Sequence, residues 1–257
     1  MTRLQAKNLS LGYGEKLVVD TVSIDFHDGK INMLIGANAS GKSTLLSGLI
    51  HANKPMSGEV FLDGKELGTI SGKERAQILG MLPQHPQAPE GITVWDLVAR
   101  GRFPHQKWYQ QFSETDEKVV NEALEKTDTL KIAKRPLQEL SGGQQQRVWV
   151  AMALAQEADI LLLDEPTSFL DIKHQLDILN VVKELNEKHG ITVIMVIHEL
   201  NFALRFADHV IVMRDGKVYN QGTAVEVATP EMLKDVFYLE AKVIKDPIRG
   251  TPMVVPF

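Results

Sequence analysis

The stretch Gly36-Ala37-Asn38-Ala39-Ser40-Gly41-Lys42-Ser43-Thr44 decides the fold. Its spelling, G-x-x-x-x-G-K-[ST], suits a backbone that curls its N–H groups around a chain of phosphates. Glycines stand where such a loop passes close to its ligand or turns through positive φ. Lys42 has the length and charge to reach β and γ oxygens, and the Ser43 hydroxyl suits Mg²⁺. A helix beginning here points its positive end at the anion. The flanks agree. Residues 31–35 (INMLI) read as a buried strand running in, and residues 44–50 (TLLSGLI) as an apolar helix running out. A chance Gly-rich turn would not bring strand, loop, Lys-Ser pair and helix in that order. The stretch is a nucleoside triphosphate site in an α/β fold.

Upstream, residues 4–35 read as strands with a break at Gly12-Tyr13-Gly14. On its own, Tyr13 reads as a turn tyrosine, with stacking on a base as the alternative. Asp28-Gly29 and Asp63-Gly64, each between apolar residues, read as hairpin turns. Downstream, Pro83, Pro86, Pro89 and Gly91 mark a boundary. Residues 92–100 then read as a helix and residues 101–111 (GRFPHQKWYQQ) as a polar, aromatic loop. Residues 116–126 form an amphipathic helix capped by Ser113 or Thr115. The span 87–157 is therefore expected to be a helical insertion in a strand-rich core. His105, Lys107 and Trp108 form one basic-aromatic loop on an acidic chain, which reads as a solvated or partner-facing surface.

Residues 160–163 (ILLL) read as a strand buried on both faces, ending in Asp164-Glu165-Pro166. Acids at the carboxyl end of such a strand stand where α/β folds bind ligands. If strand geometry continued, Asp164 and Glu165 would point in opposite directions and have different tasks. Asp164 suits a water-mediated hold on Mg²⁺, Glu165 a general base for water. A second buried strand, 191–197 (ITVIMVI), ends at His198, a candidate γ-phosphate contact at the same sheet edge. Asp215-Gly216 joins the strands of a further hairpin.

Composition limits the alternatives. The chain has 257 residues, 44% of them hydrophobic, and no cysteine, so disulfides and thiolate metal sites are excluded. A formal charge of -5 argues against nucleic acid as a partner. The start of the chain lacks the apolar run of a signal peptide. No apolar stretch approaches the roughly 20 residues that span a bilayer. Any membrane role is expected to be peripheral.

The phosphate loop, LSGGQQQR at 140–147 and ILLLDEP at 160–166, in that order, resemble the ATP-binding cassette (ABC) ATPases over essentially the whole chain. The resemblance implies a P-loop NTPase core with an N-terminal antiparallel β subdomain and an inserted α-helical subdomain. The core is expected at 1–86 and 158–257, and the signature subdomain at 87–157. It implies a homodimer that sandwiches two ATP·Mg²⁺ head to tail, docked on integral-membrane permease subunits. In this family Tyr13 becomes the adenine-stacking ring, reversing the reading from the turn alone. Gly36, Asn38, Ser40, Gly41, Lys42, Ser43 and Thr44 hold phosphate and metal. Gln84 senses the metal, and Ser141, Gly142, Gly143 and Gln144 contact the other subunit's γ-phosphate. Asp164 supports Mg²⁺ and Glu165 polarises the attacking water. Asp171 belongs to the loop crossing the dimer interface, and His198 matches the switch histidine.

Finer likeness lies in Gly101-Arg102-Phe103-Pro104-His105-Gln106, DEPTSFLDIKHQ at 164–175 and GTPMVVP at 250–256. These resemble the ATPases of ferric-siderophore importers, in particular the catecholate, enterobactin-type branch. The expectation is a peripheral subunit on the cytoplasmic face of the inner membrane, served indirectly by a substrate-binding protein. Motors for haem, cobalamin or metal-ion cargo share the catalytic residues. Soluble cassettes of DNA repair or translation usually have paired cassettes, coiled-coil insertions or basic extensions, all absent here. A non-hydrolysing module is at odds with Glu165 and His198. Two positions depart from the family: Ala37 replaces the usual Pro and Ala39 the usual Gly. If position 39 needs φ > 0, alanine costs about 1 kcal/mol or more there.

Overall fold

The computed structural model describes residues 2–106 and 112–257. Lys107 and Trp108 of the basic-aromatic loop lie outside the described residues. In chain order, β1 (Leu4–Tyr13), β2 (Lys16–Asp25) and β3 (Ile31–Gly36) lead into α1 (Lys42–Leu49), followed by β4 (Ser57–Leu62) and β5 (Lys65–Glu66). Next come α2 (Gly72–Ile78), β6 (Leu79–Leu82), α3 (Val94–Ala99), α4 (Glu114–Lys126), α5 (Gly142–Ala155), β7 (Ile160–Asp164) and α6 (Ile172–His189). The chain closes with β8 (Thr192–Val196), α7 (Leu200–Phe206), β9 (His209–Arg214), β10 (Lys217–Gly222), α8 (Ala224–Val227), α9 (Pro230–Phe237), β11 (Ala241–Lys245) and β12 (Pro252–Pro256). Two compact units result: Met1–Ser71 with Thr192–Phe257, and Gly72–Ile191. The expected helical segment 87–157 falls within the second.

In the first unit, β2, β1, β4 and β5 form an antiparallel sheet in that order. A second layer is built on β3, which pairs in parallel with both β8 and β9, while β10 adds antiparallel to β9. All six residues of β3 are buried, as an apolar strand covered on both faces requires. Its one polar side chain, Asn32, is fully buried but hydrogen-bonded. Nδ2 donates to the carbonyls of His27, Lys30 and Val193, and Oδ1 accepts the His27 N–H.

Two readings of turns need correction. Asp28-Gly29 does not close a hairpin, because both edges of β3 are taken by β8 and β9 and β2 belongs to the other sheet. The turn is tied instead to Thr192, whose Oγ1 accepts the Gly29 N–H (2.8 Å) and donates to Asp28 (2.9 Å). Nor does β1 break at Gly12: it runs on through Tyr13, paired with Lys16. Asp63-Gly64 and Asp215-Gly216 do join antiparallel partners.

In the second unit β6 and β7 pair in parallel, and α3, α4 and α5 pack together beside them. The expected loop at 101–111 begins as a 3-10 turn, Arg100–His105. Its Arg102 is 5% exposed and binds three groups: Asp116 Oδ1 (2.9 Å), Glu157 Oε2 (2.8 Å) and the Ala155 carbonyl at the end of α5 (2.7 Å). Burial alone would raise the Asp116 pKa, but hydrogen bonds from Arg102 and Ser113 hold it below the usual carboxylate range. Removing Arg102 would strand the buried Asp116 carboxylate at a cost of about 3–5 kcal/mol, whereas the exposed Glu157 contributes less. Among the described residues no helix is long and apolar enough to cross a membrane.

Candidate functional site

The first unit carries Tyr13, the phosphate loop and His198. The loop follows directly from β3, and its shape depends on its glycines. A Cβ on Gly36 would sit 2.2 Å from the Met213 carbonyl oxygen on β9 and 2.8 Å from Ser40 Oγ. Gly41, at φ 99°, is the N-cap of α1, and no side chain caps that helix. Lys42 is 6% exposed and its ammonium donates to the carbonyls of Gly36 and Ala37, both at 2.9 Å. Ala39 lies at φ 63°, so the condition for strain at that departure is met. Ser40 and Thr44 are buried, Ser43 half-buried and Asn38 exposed. The donor set fits a phosphate chain: an eight-residue helix whose N-cap is glycine, a lysine folded over the loop, and two glycines where a side chain would clash (Gly36) or be strained (Gly41).

Strand register places two further groups. Leu34 pairs with Val196, so Gly36 and His198 both stand two residues beyond paired positions of parallel strands, at one carboxyl edge. The Gly216 N–H donates to the Ser40 carbonyl (3.2 Å), fastening the β9–β10 turn to the loop. Tyr13 is 61% exposed at the β1–β2 turn. From that turn β2 brings the Val18 carbonyl to 3.2 Å from where a Gly41 Cβ would be.

The second unit carries Gln84, the signature, Asp164, Glu165 and Asp171. Leu82 pairs with Leu163, so half-buried Gln84 and Glu165 both stand two residues beyond that pair. Asp164 is 3% exposed. Glu165 leaves strand geometry at φ 53°, so the alternation of directions expected for the two acids does not apply; its Oε2 accepts the Ser168 hydroxyl (3.0 Å). Ser141 caps α5 through a reciprocal box with Gln144. Asp171 caps α6: Oδ1 accepts the His174 N–H (2.9 Å) and contacts His174 Nδ1 (2.8 Å). These contacts, the backbone one first, hold its pKa below the usual carboxylate range.

Signature and Asp171 meet. Ser141, Gly142, Gly143 and Gln144 share a surface cavity of about 640 Å³ with Phe169, Leu170 and Asp171. Phe169, held at φ 65°, is 80% exposed and Ile172 is 70% exposed. Arg147 and His174 also line the cavity; neither was expected from sequence as a site residue. For Arg147 the signal was present, since it stands four residues after Gly143 and so on the same helix face. His174 shows only through the cap made by Asp171.

The family model described as ABC transporter matches residues 19–168, more than half of the chain. The chain belongs to the ABC transporter family. It is 46% identical over 257 residues to the achromobactin transport ATP-binding protein CbrD of Dickeya dadantii (strain 3937), covering 100% of this chain and 96% of that protein. It is 43% identical over 256 residues to the ferric enterobactin transport ATP-binding protein FepC of Escherichia coli (strain K12), covering 100% of this chain and 94% of that protein. A metal-chelate type ABC transporter solved in an inward-facing conformation superposes with a TM-score of 0.84 at 28% identity, covering 100% of this chain and 97% of that one. Membership makes this ABC chain an ATPase, with ATP as its substrate.

Proposed function

We propose that this ABC ATPase powers uptake of a ferric siderophore of the catecholate class through a permease in the inner membrane. Two copies work as a dimer peripheral to the cytoplasmic face, and an external binding protein delivers the cargo. The core at 1–86 and 158–257 carries nucleotide chemistry, and the segment 87–157 transmits closure. Tyr13 stacks on adenine, and the phosphate loop with Lys42 and Thr44 grips the phosphates. Glu165 accepts the proton of the attacking water, with His198 at the γ-phosphate. Ser43, Gln84 and, through water, Asp164 would hold Mg²⁺, a hard cation that takes few protein ligands beside phosphate oxygens. When bound, the ion neutralises charge building on the β and γ oxygens.

The observation that carries the dimeric reading is Gly142. Among the described residues a Cβ built there meets nothing within 4 Å, and its backbone is not at positive φ. Its own chain thus gives no reason for glycine where alanine is the better helix former. Close approach of another molecule does. The exposed Phe169, which lines the same cavity, and the exposed Ile172 at the start of α6 supply apolar area for a second copy. Support for a siderophore cargo comes from relatives named for achromobactin and ferric enterobactin transport, matched from end to end; the catecholate class rests on the sequence likeness at 101–106, 164–175 and 250–256.

The test is uptake of a panel of ferric catecholates and hydroxamates by cells carrying Lys42→Ala. Loss confined to catecholates is the expected result. Unchanged uptake across the panel would sink the siderophore reading and bring haem, cobalamin or metal-ion cargo forward.

A further inference from the structure

The C-terminal segment has no part in the chemistry above, yet it is well built. Strands β11 and β12 pair over five positions, from Ala241 opposite Pro256 to Lys245 opposite Pro252. Asp246 shapes the connecting loop, with Oδ1 accepting the N–H groups of Ile248 (2.8 Å) and Arg249 (3.2 Å). One face of the hairpin, with Ala241 and Val254, is buried, while Ile244 and Val255 face out.

The buried face rests on α7. Asn201 and Val254 exchange two hydrogen bonds: Asn201 Nδ2 donates to the Val254 carbonyl (3.1 Å), and the Val254 N–H donates to Asn201 Oδ1 (2.7 Å). Arg205 faces Asp246 at 4.0 Å, and the Arg249 guanidinium lies 5.4 Å from the Phe206 ring centroid. The hairpin therefore grips α7 near its first residue and again at its last two. That helix is only seven residues long, and its N-cap, Glu199, has no side-chain cap bond. A helix this short is not stable by itself. The residue before the cap is His198.

We propose that the C-terminal hairpin, acting through Asn201, positions His198 for hydrolysis by fixing the first turn of α7. Asn201 is a positioning residue: its side-chain amide is engaged with the Val254 backbone, and it acts by limiting the backbone swing available to residues 198–200. A misplacement of about 1 Å at a reacting group can cost up to about a hundredfold in rate, so modest fraying at this turn would show in kcat. The proposal rests on the reading of His198 as the γ-phosphate contact.

The test is a double-mutant cycle on ATP hydrolysis by the full-length chain, with Asn201→Ala, His198→Ala and both together. Asn201→Ala is expected to lower kcat about five- to tenfold with KM for ATP unchanged, and to cause no further loss in the His198→Ala background. Asn201→Asp retains the acceptor for the Val254 N–H and should recover part of the lost rate; it also serves if the alanine variant folds poorly. Wild-type kcat in Asn201→Ala, or a loss just as large on top of His198→Ala, would overturn the hairpin's role and leave His198 in place. Wild-type hydrolysis by His198→Ala would remove the reading on which the proposal stands, and the proposal with it.

Discussion

Two helix beginnings in this molecule are finished in opposite ways. Helix α1 starts at Gly41 with no side-chain cap, its lysine folded back on the loop carbonyls. Helix α5 starts at Ser141 with a full capping box, closed by Gln144. The glycines differ in the same sense. Gly36 is fixed by the chain's own atoms, 2.2 Å from a carbonyl oxygen if it had a Cβ, whereas a Cβ on Gly142 would meet nothing within 4 Å among the described residues. The first site is shaped by this chain alone. The second is closed by its own cap, and its glycine faces open space among the described residues.

The contrast can be broken by substitution. Gly36→Ala puts a methyl against a main-chain oxygen on β9 that cannot give way like a flexible side chain. It should cost about 3 kcal/mol in a denaturant titration and abolish ATP binding; near wild-type stability would mean that the loop is not the rigid element described. Gly142→Ala should go the other way. The isolated chain should gain a few tenths to about 1 kcal/mol, as alanine replaces glycine in a helix, while ATP hydrolysis falls about tenfold or more. If the alanine variant kept its full rate, nothing would approach this helix closely and the two beginnings would not differ in purpose. The smallest effect is Ala39→Gly. Relief of about 1 kcal/mol of left-handed strain is set against about 0.4–1 kcal/mol from a freer unfolded chain. The thermal midpoint should therefore move by no more than a degree or two. A larger rise would show that the loop holds more strain than this one residue.

What could be read from sequence follows from how each signal arises. Strands β3, β7 and β8 were plain because a parallel strand covered on both faces must be a short, unbroken apolar run. The cap of α4 was plain, because Ser113 is local chemistry. Asp28-Gly29 misled because turn residues report a local bend, not whether the strands on either side share a sheet. The cavity joining Ser141 to Asp171 could not be read at all. Its two walls are the starts of different helices, brought together by packing that no local pattern encodes, and Arg147 and His174 matter only once those walls meet.

Arg102 gives the signature helix a mechanical character. Helix α5 is held at its far end, where the Ala155 carbonyl, Asp116 of the α4 cap and Glu157 all bind one guanidinium. Its other end opens on the signature cavity. Fourteen residues of helix make a rod about 21 Å long. Pivoting about that clamp by roughly 5° would sweep Ser141 through about 2 Å, the difference between a hydrogen bond made and one lost. In any such rotation Arg102 would be the fulcrum and the length of the helix would magnify a small angle into a large change of contact at Ser141.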